Sequence, residues 1–443
     1  MNFIDVLFRY LIGEKILNQL KGIYLKQLLK VLLLHLFSLV ASFASTWLIA
    51  RHLGKEGYGL FVYGFSWISI LVIIACLGFE TLLLRELPGF LVNKSSDKAK
   101  SLINFAFKTT FIFAIVILII SAASFSLFEF PSNPSFRKVL YLSLPALPFL
   151  VSISISSSIL RGFKLNGYSM VVEKIIRPSL LFLLAAALIF ASDFFNVINL
   201  IIGNLFVLGI CALTAGVVVY FKIMRKLPEQ KKADNVFEWK KIAWNILLIN
   251  ILFILTSQIA TLFLGWLSSE GEAGMYGLSL RLIELPATVV TLFNFVLAPI
   301  FAEYFSNRKT IELASLTKKT SLVMITLSLP LIILYLLVPS FCLSLFGNSY
   351  SGGEPVLILF SFIQIIVIIN GNANYLLLMS GNTLSLIRIT AFSLLIQIVL
   401  CIVLIPEYGA YGAALATVGQ LLFQNTLVYF SVKKKLGFSP AFI

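Results

Sequence analysis

Arg281 and Glu284 stand three residues apart in the stretch Arg281-Leu-Ile-Glu-Leu-Pro286. On a helix that spacing puts both side chains on one face. The run from Tyr276 to Ala302 around them is otherwise largely apolar and as long as a bilayer is wide. Ionisable residues inside such a run face a bundle interior or a watery cavity and mark a path for polar cargo. A guanidinium keeps its charge at any working pH and offers a planar fork that matches phosphate oxygens. The chemistry on offer is recognition of a phosphate-bearing anion inside the membrane. A plainer use stands beside it: a local Arg281–Glu284 pair that only stabilises a buried bend. Pro286 removes one backbone donor, so a kink is expected there, and with it a gating role.

Other polar residues offer less specific chemistry. Lys108 is the second cation within a span, close enough to a loop for its ammonium to snorkel to the interface. Arg51 and Arg85 stand at the ends of the first two spans, as interface anchors or as cargo ligands. Glu173, Lys174 and Arg177 precede Pro178 at the start of the fifth span, either as a charged helix start or as a gate. Glu80 and Glu303 lie near span ends, where each can exchange a proton or pair with a cation. Asn250, Gln258, Asn294, Gln364, Asn370, Asn372 and Asn374 place amides in the second half. Amides in spans bridge helices, and they also suit sugar hydroxyls. Asn370-Gly-Asn-Ala-Asn374 can unwind a helix where it lines a cavity.

Groups placed this way need a membrane-embedded scaffold, and the composition supplies one. Of 443 residues, 59% are hydrophobic and 12% charged, a balance that water-soluble domains do not have. Twelve apolar stretches are expected to span, near 31–50, 59–79, 102–125, 139–160, 175–192, 197–221, 242–267, 277–302, 320–339, 355–378, 384–405 and 410–431. Each is close to the ~20 residues that cross hydrocarbon as a helix. The net charge of +15 would point to nucleic acid in a soluble protein. Here the charge is carried by loops of one side. Of the 34 lysines and arginines, Arg51, Lys55, Arg137 and Lys138 fall in loops of the other side, and Lys108 and Arg281 within spans. By the positive-inside rule both termini are expected in the cytoplasm, and the even span count agrees. No cleavable signal peptide is read at the N-terminus.

Residues 1–30 mix apolar side chains with Arg9, Lys15, Lys21, Lys26 and Lys30. They read as a basic amphipathic helix on an anionic inner leaflet or as a basic tail. The basic linker 222–241 then divides the spans into an N-lobe (31–221) and a C-lobe (242–443). Tyr58-Gly59-Leu60 opens span two and Tyr276-Gly277-Leu278 opens span eight, each after a Gly/Glu-containing turn. Six spans per half keep the halves in one orientation, a parallel repeat of the transporter kind. The expected fold is all-α, with two six-helix lobes around a central cavity. The four cysteines (Cys76, Cys211, Cys342, Cys401) are far apart and have no metal-binding or redox spacing. No catalytic motif is present, since HExxH, G-x-S-x-G and the P-loop are all missing.

Several stretches together resemble one family. Arg51-His-Leu-Gly-Lys-Glu-Gly-Tyr-Gly-Leu60 is similar to the signature after span one of polysaccharide-export flippases. Leu77-Gly-Phe-Glu-Thr81 with Arg85 resembles that family's end of span two, and Ala273 to Pro286 the start of its span eight. Leu345-Phe-Gly-Asn-Ser-Tyr350, Asn374 to Asn382, and Pro406-Glu-Tyr-Gly-Ala-Tyr-Gly-Ala-Ala414 resemble later turns. The family is the polysaccharide transporter branch of the multidrug/oligosaccharidyl-lipid/polysaccharide (MOP) exporter superfamily, which includes O-antigen flippases. One departure stands out. Relatives carry an acidic residue in span seven, where this chain reads Ser257-Gln-Ile-Ala-Thr261, and Ala260 cannot bind a cation through its side chain.

The resemblance implies a polyprenyl tail, a pyrophosphate and a short glycan as cargo. It implies alternating access in a cytoplasmic membrane, with lipids and other polysaccharide-assembly proteins as partners and no nucleic acid. No cofactor is expected, and a coupling ion, H+ or Na+, is left open. The rival readings are a drug/cation antiporter of the same superfamily, a membrane-embedded glycan polymerase or ligase, and an unselective scramblase or scaffold. An antiporter favours acidic cavity residues, and a polymerase needs a large outer loop. The longest outer loop, 340–354, is short.

Overall fold

The computed structural model describes residues 23–93, 95–127, 129, 131, 133–191, 195–228, 236–306 and 310–439. Residues 1–22 of the expected amphipathic segment and 229–235 of the basic linker lie outside the described residues. So do the side chains of Asn294 and Glu303.

Among the described residues the regular structure is helical. The helices are α1 (Ile23–Cys76), α2 (Phe79–Val92), α3 (Ser96–Leu127), α4 (Pro134–Ser143), α5 (Ala146–Gly162), α6 (Asn166–Met170) and α7 (Arg177–Phe190). There follow α8 (Val197–Lys222), α9 (Val236–Leu267), α10 (Glu270–Ser306), α11 (Thr310–Leu337) and α12 (Pro339–Ser344). The last are α13 (Glu354–Ile369), α14 (Ala373–Met379) and α15 (Thr383–Leu436). Among the described residues seven helices are long and apolar enough to cross a membrane, or eight if α4 and α5, bent by 48° at their junction, are one span. In hydrocarbon a helix is the open-ended structure that satisfies its own backbone, which is why apolar stretches of this length fold this way.

Two of these helices are each two arms joined by a glycine. α1 breaks at Gly54 (φ 68) and α15 at Gly409 (φ 52). Positive φ is strained for any residue with a Cβ, so glycine is what lets one arm fold back on the other. With both read as pairs, and with the shorter apolar helices α7 and α13 counted as well, the helices are consistent with twelve crossings.

The chain forms two compact units. The first is Leu33–Gly274. Its core joins Leu82, Leu83 and Leu87 of α2 to Leu102, Ile103 and Ala106 of α3, Ile155, Ile159 and Leu160 of α5, and Leu208 of α8. Trp239 and Ala243 of α9 belong to the same cluster, and Trp239 meets the Phe105 ring at 6.3 Å. The apolar contacts of α9 thus bind it to the first unit, which ends at Gly274.

The second unit is built on Met275–Ile443. One apolar cluster unites Leu297 and Phe301 of α10, Leu313 and Leu316 of α11, Leu376 and Leu377 of α14, and Ile389 and Val428 of α15. Large apolar side chains point outward in both units, among them Phe206 and Leu213 of α8 and Phe392 and Val399 of α15. Exposed apolar faces on this scale are what a lipid-facing surface requires.

Candidate functional site

α10 carries Arg281 into the apolar zone. At 1.5 Å per residue, Arg281 sits about 17 Å from the start of the helix. The guanidinium Nη1 donates to the Glu284 carboxylate one turn on. The Arg281 side chain is 30% exposed and that of Glu284 59% exposed. The pair expected from the spacing thus forms, and it leaves both groups partly open.

The chain stays helical through Pro286. A proline cannot donate to the carbonyl four residues back, which here is that of Leu282. Tyr335 of α11 takes that place, its hydroxyl donating to the Leu282 carbonyl at 3.2 Å. Ser328, two turns earlier on α11, donates to the carbonyl of Pro286 at 3.2 Å. Foreign hydroxyls of this kind are how membrane helices tolerate proline. This explains why helical structure persists through the proline.

Two of the candidate amides of the second unit are engaged, while the buried Gln364 Nε2 meets no acceptor among the described residues. The chain leaves the helix at residues 370–372, between α13 and α14. There Asn370 donates to the Asn425 carbonyl at 3.2 Å, and Asn372 donates to Thr320 Oγ1 at 2.8 Å. Both bridge helices while buried; Asn374 is exposed. Tyr276 and Thr417 share a buried hydrogen bond of 2.8 Å.

The first unit holds a polar network that spacing alone did not reveal. The Glu80 carboxylate accepts from Ser154 at 2.6 Å and from Asn250 at 3.4 Å. One helical turn along α5, the Ser157 hydroxyl donates to Glu173 at 2.5 Å and meets Ser169 Oγ at 2.6 Å. Arg161, again one turn on, lies 3.7 Å from Glu173. Glu173 and Lys174 sit on a π-helical turn, Val171–Ile176, a distortion frequent at functional sites. Lys174 is exposed and Arg177 half-buried. The signal was present as serines and an arginine at helical spacing in Ser154-Ile-Ser-Ser-Ser-Ile-Leu-Arg161. Their partners Glu80 and Glu173 lie on other helices.

The remaining candidates stand apart from these groups. Arg51 is exposed and stacks over the Trp47 ring at 5.4 Å. Arg85 is exposed and lies 3.4 Å from Glu86. Lys108 is exposed on α3, as snorkelling requires. Ala260 is fully buried by packing on α9.

The chain matches the model of the family described as "Polysaccharide biosynthesis protein" over residues 24–305. It is 24% identical over 393 residues to an uncharacterized membrane protein of Methanocaldococcus jannaschii, covering 84% of this chain and 76% of that protein. Among solved structures, an inward-facing multidrug resistance MATE transporter of the MOP superfamily aligns with a TM-score of 0.75 at 14% identity, over 90% of this chain and 94% of that one. The lipid II flippase MurJ in an inward closed conformation aligns with a TM-score of 0.69 at 17% identity, over 91% of this chain and 87% of that one. These two likenesses share the all-helical fold described above. With its multi-pass architecture, the chain belongs to the family described as "Polysaccharide biosynthesis protein".

Proposed function

We propose that the protein is a flippase moving a polyprenyl-diphosphate-linked oligosaccharide across the cytoplasmic membrane by alternating access, with both termini in the cytoplasm. The observation that carries this reading is Arg281. A permanently charged fork lies about 17 Å along a membrane helix, partly open and paired with the Glu284 carboxylate. A diphosphate crossing ~30 Å of hydrocarbon needs cationic partners that cannot lose their proton. The family match supports a glycan-lipid cargo over other anions. Glu173, Lys174, Arg177 and Pro286 are the gating residues of this reading, and the partly open Asn250 and Asn374 its sugar-facing amides.

The test is flipping of a fluorescent polyprenyl-diphosphate glycan in proteoliposomes. Arg281→Ala at equal reconstituted protein should lower the rate at least tenfold, the loss of roughly 1.5–3 kcal/mol from a charged hydrogen bond. An undiminished rate would reject the role. Export of cationic dyes on expression would instead favour the antiporter reading.

A further inference from the structure

Tyr335 and Ser328 have no place in the transport chemistry above, yet both are buried and spend their hydroxyls on α10. Tyr335 is 3% exposed and Ser328 0% exposed. The carbonyl that Tyr335 meets, that of Leu282, is the one that Pro286 leaves without its helical donor. Ser328 binds the carbonyl of Pro286 itself. The two hydroxyls thus hold both ends of the turn 282–286, which contains Glu284 and begins at the residue after Arg281. The spacing is explicable. Ser328 and Tyr335 lie about 10 Å apart along α11, against about 6 Å between the two carbonyls on α10. Helical side chains lean toward their own N-terminus, and a tyrosine is long enough to close the difference. A shorter residue at 335 would not reach.

We propose that Tyr335, with Ser328, is a positioning residue for the Arg281–Glu284 pair. Its hydroxyl replaces the amide proton that Pro286 lacks and so fixes the turn from which the guanidinium projects. The part this plays in transport rests on the flippase reading; the positioning does not. Without the hydroxyl, the Leu282 carbonyl is buried with no donor, a state a helix relieves by bending at the proline. Tyrosine at 335 is then required by proline at 286. Restoring an amide at 286 removes the requirement.

The experiment reads geometry directly. Arg281→Cys gives the turn a reporter thiol, and the four native cysteines are buried. The labelling rate with a charged methanethiosulfonate is measured in full-length protein in membranes. Adding Tyr335→Phe should change that rate about fivefold, the scale of one lost buried hydrogen bond. Ser328→Ala should shift it in the same direction by less and serves where Tyr335→Phe yields no folded protein. Adding Pro286→Ala to the Tyr335→Phe background should return the rate to that of Arg281→Cys alone. Unchanged labelling in both hydroxyl variants, or no return with Pro286→Ala, overturns the proposal. Tyr335→Phe on the wild-type Arg281 background is then assayed for glycan-lipid flipping. A labelling shift with flipping at the parent rate supports the positioning and overturns the role given to Arg281 in transport.

Discussion

Gly59 and Gly274 pack backbone against backbone within the first unit. A Cβ on Gly59 would run into the carbonyl of Glu270 and the amide of Gly274. One on Gly274 would run into the carbonyl of Lys55 and the amide of Gly59. The second arm of α1 and the first turn of α10 therefore approach as closely as helices can, as small residues allow in membranes. Asn133 adds a hydrogen bond to Glu270 at 3.2 Å, and the Lys55 side chain lies over Gly271.

Gly59→Ala is expected to be strongly destabilising, because the obstacle is backbone on both sides and cannot rotate away. Overpacking of this kind costs about 1–3 kcal/mol. Gly89→Ala is the control. Gly89 is helical with open space around its Cα, so alanine there should be neutral or gain up to about 1 kcal/mol. Thermal unfolding of the purified protein in detergent compares the two. Equal melting temperatures would mean that the two turns can move apart freely.

The fold was largely legible because membrane helices announce themselves by length and polarity. Glycine breaks were legible too: Gly54 and Gly409 fall where an outer turn was read between spans. The Arg281–Glu284 pair was legible because its partners are three residues apart. What could not be read was anything that depends on which helices are neighbours. The spacing showed that Pro286 would orphan a carbonyl, but nothing local names Tyr335 as its donor. Likewise, no pattern links Glu80 to Ser154 or assigns α9 to the first unit, since both follow from side-chain packing between distant segments.

The Ser157–Glu173–Arg161 group allows magnitudes to rank its members. Ser157 is fully buried and donates to a carboxylate, an interaction worth about 1.5–3 kcal/mol. The Arg161–Glu173 pair is 3.7 Å apart with side chains 41% and 36% exposed, which limits it to about 1 kcal/mol. Ser157→Ala should therefore destabilise the protein more than Arg161→Ala in chemical or thermal unfolding. The reverse order would show that the ion pair holds α5 to the π-helical turn.

Glu284 gives the sharpest test of how the guanidinium is used. In the resting pair its carboxylate occupies one edge of the Arg281 fork, so an incoming diphosphate must displace it. Glu284→Gln keeps the shape and removes the competing charge. An exposed pair is worth up to about 1 kcal/mol, so apparent affinity for the glycan-lipid should rise about two- to fivefold. Release should slow to match, because the carboxylate no longer returns to expel the anion. Saturation kinetics in proteoliposomes should then show a lower KM with an unchanged or lower maximal rate. A KM that rises in Glu284→Gln would mean that Glu284 contacts the cargo itself, through sugar hydroxyls, and that Arg281 binds with its partner still in place.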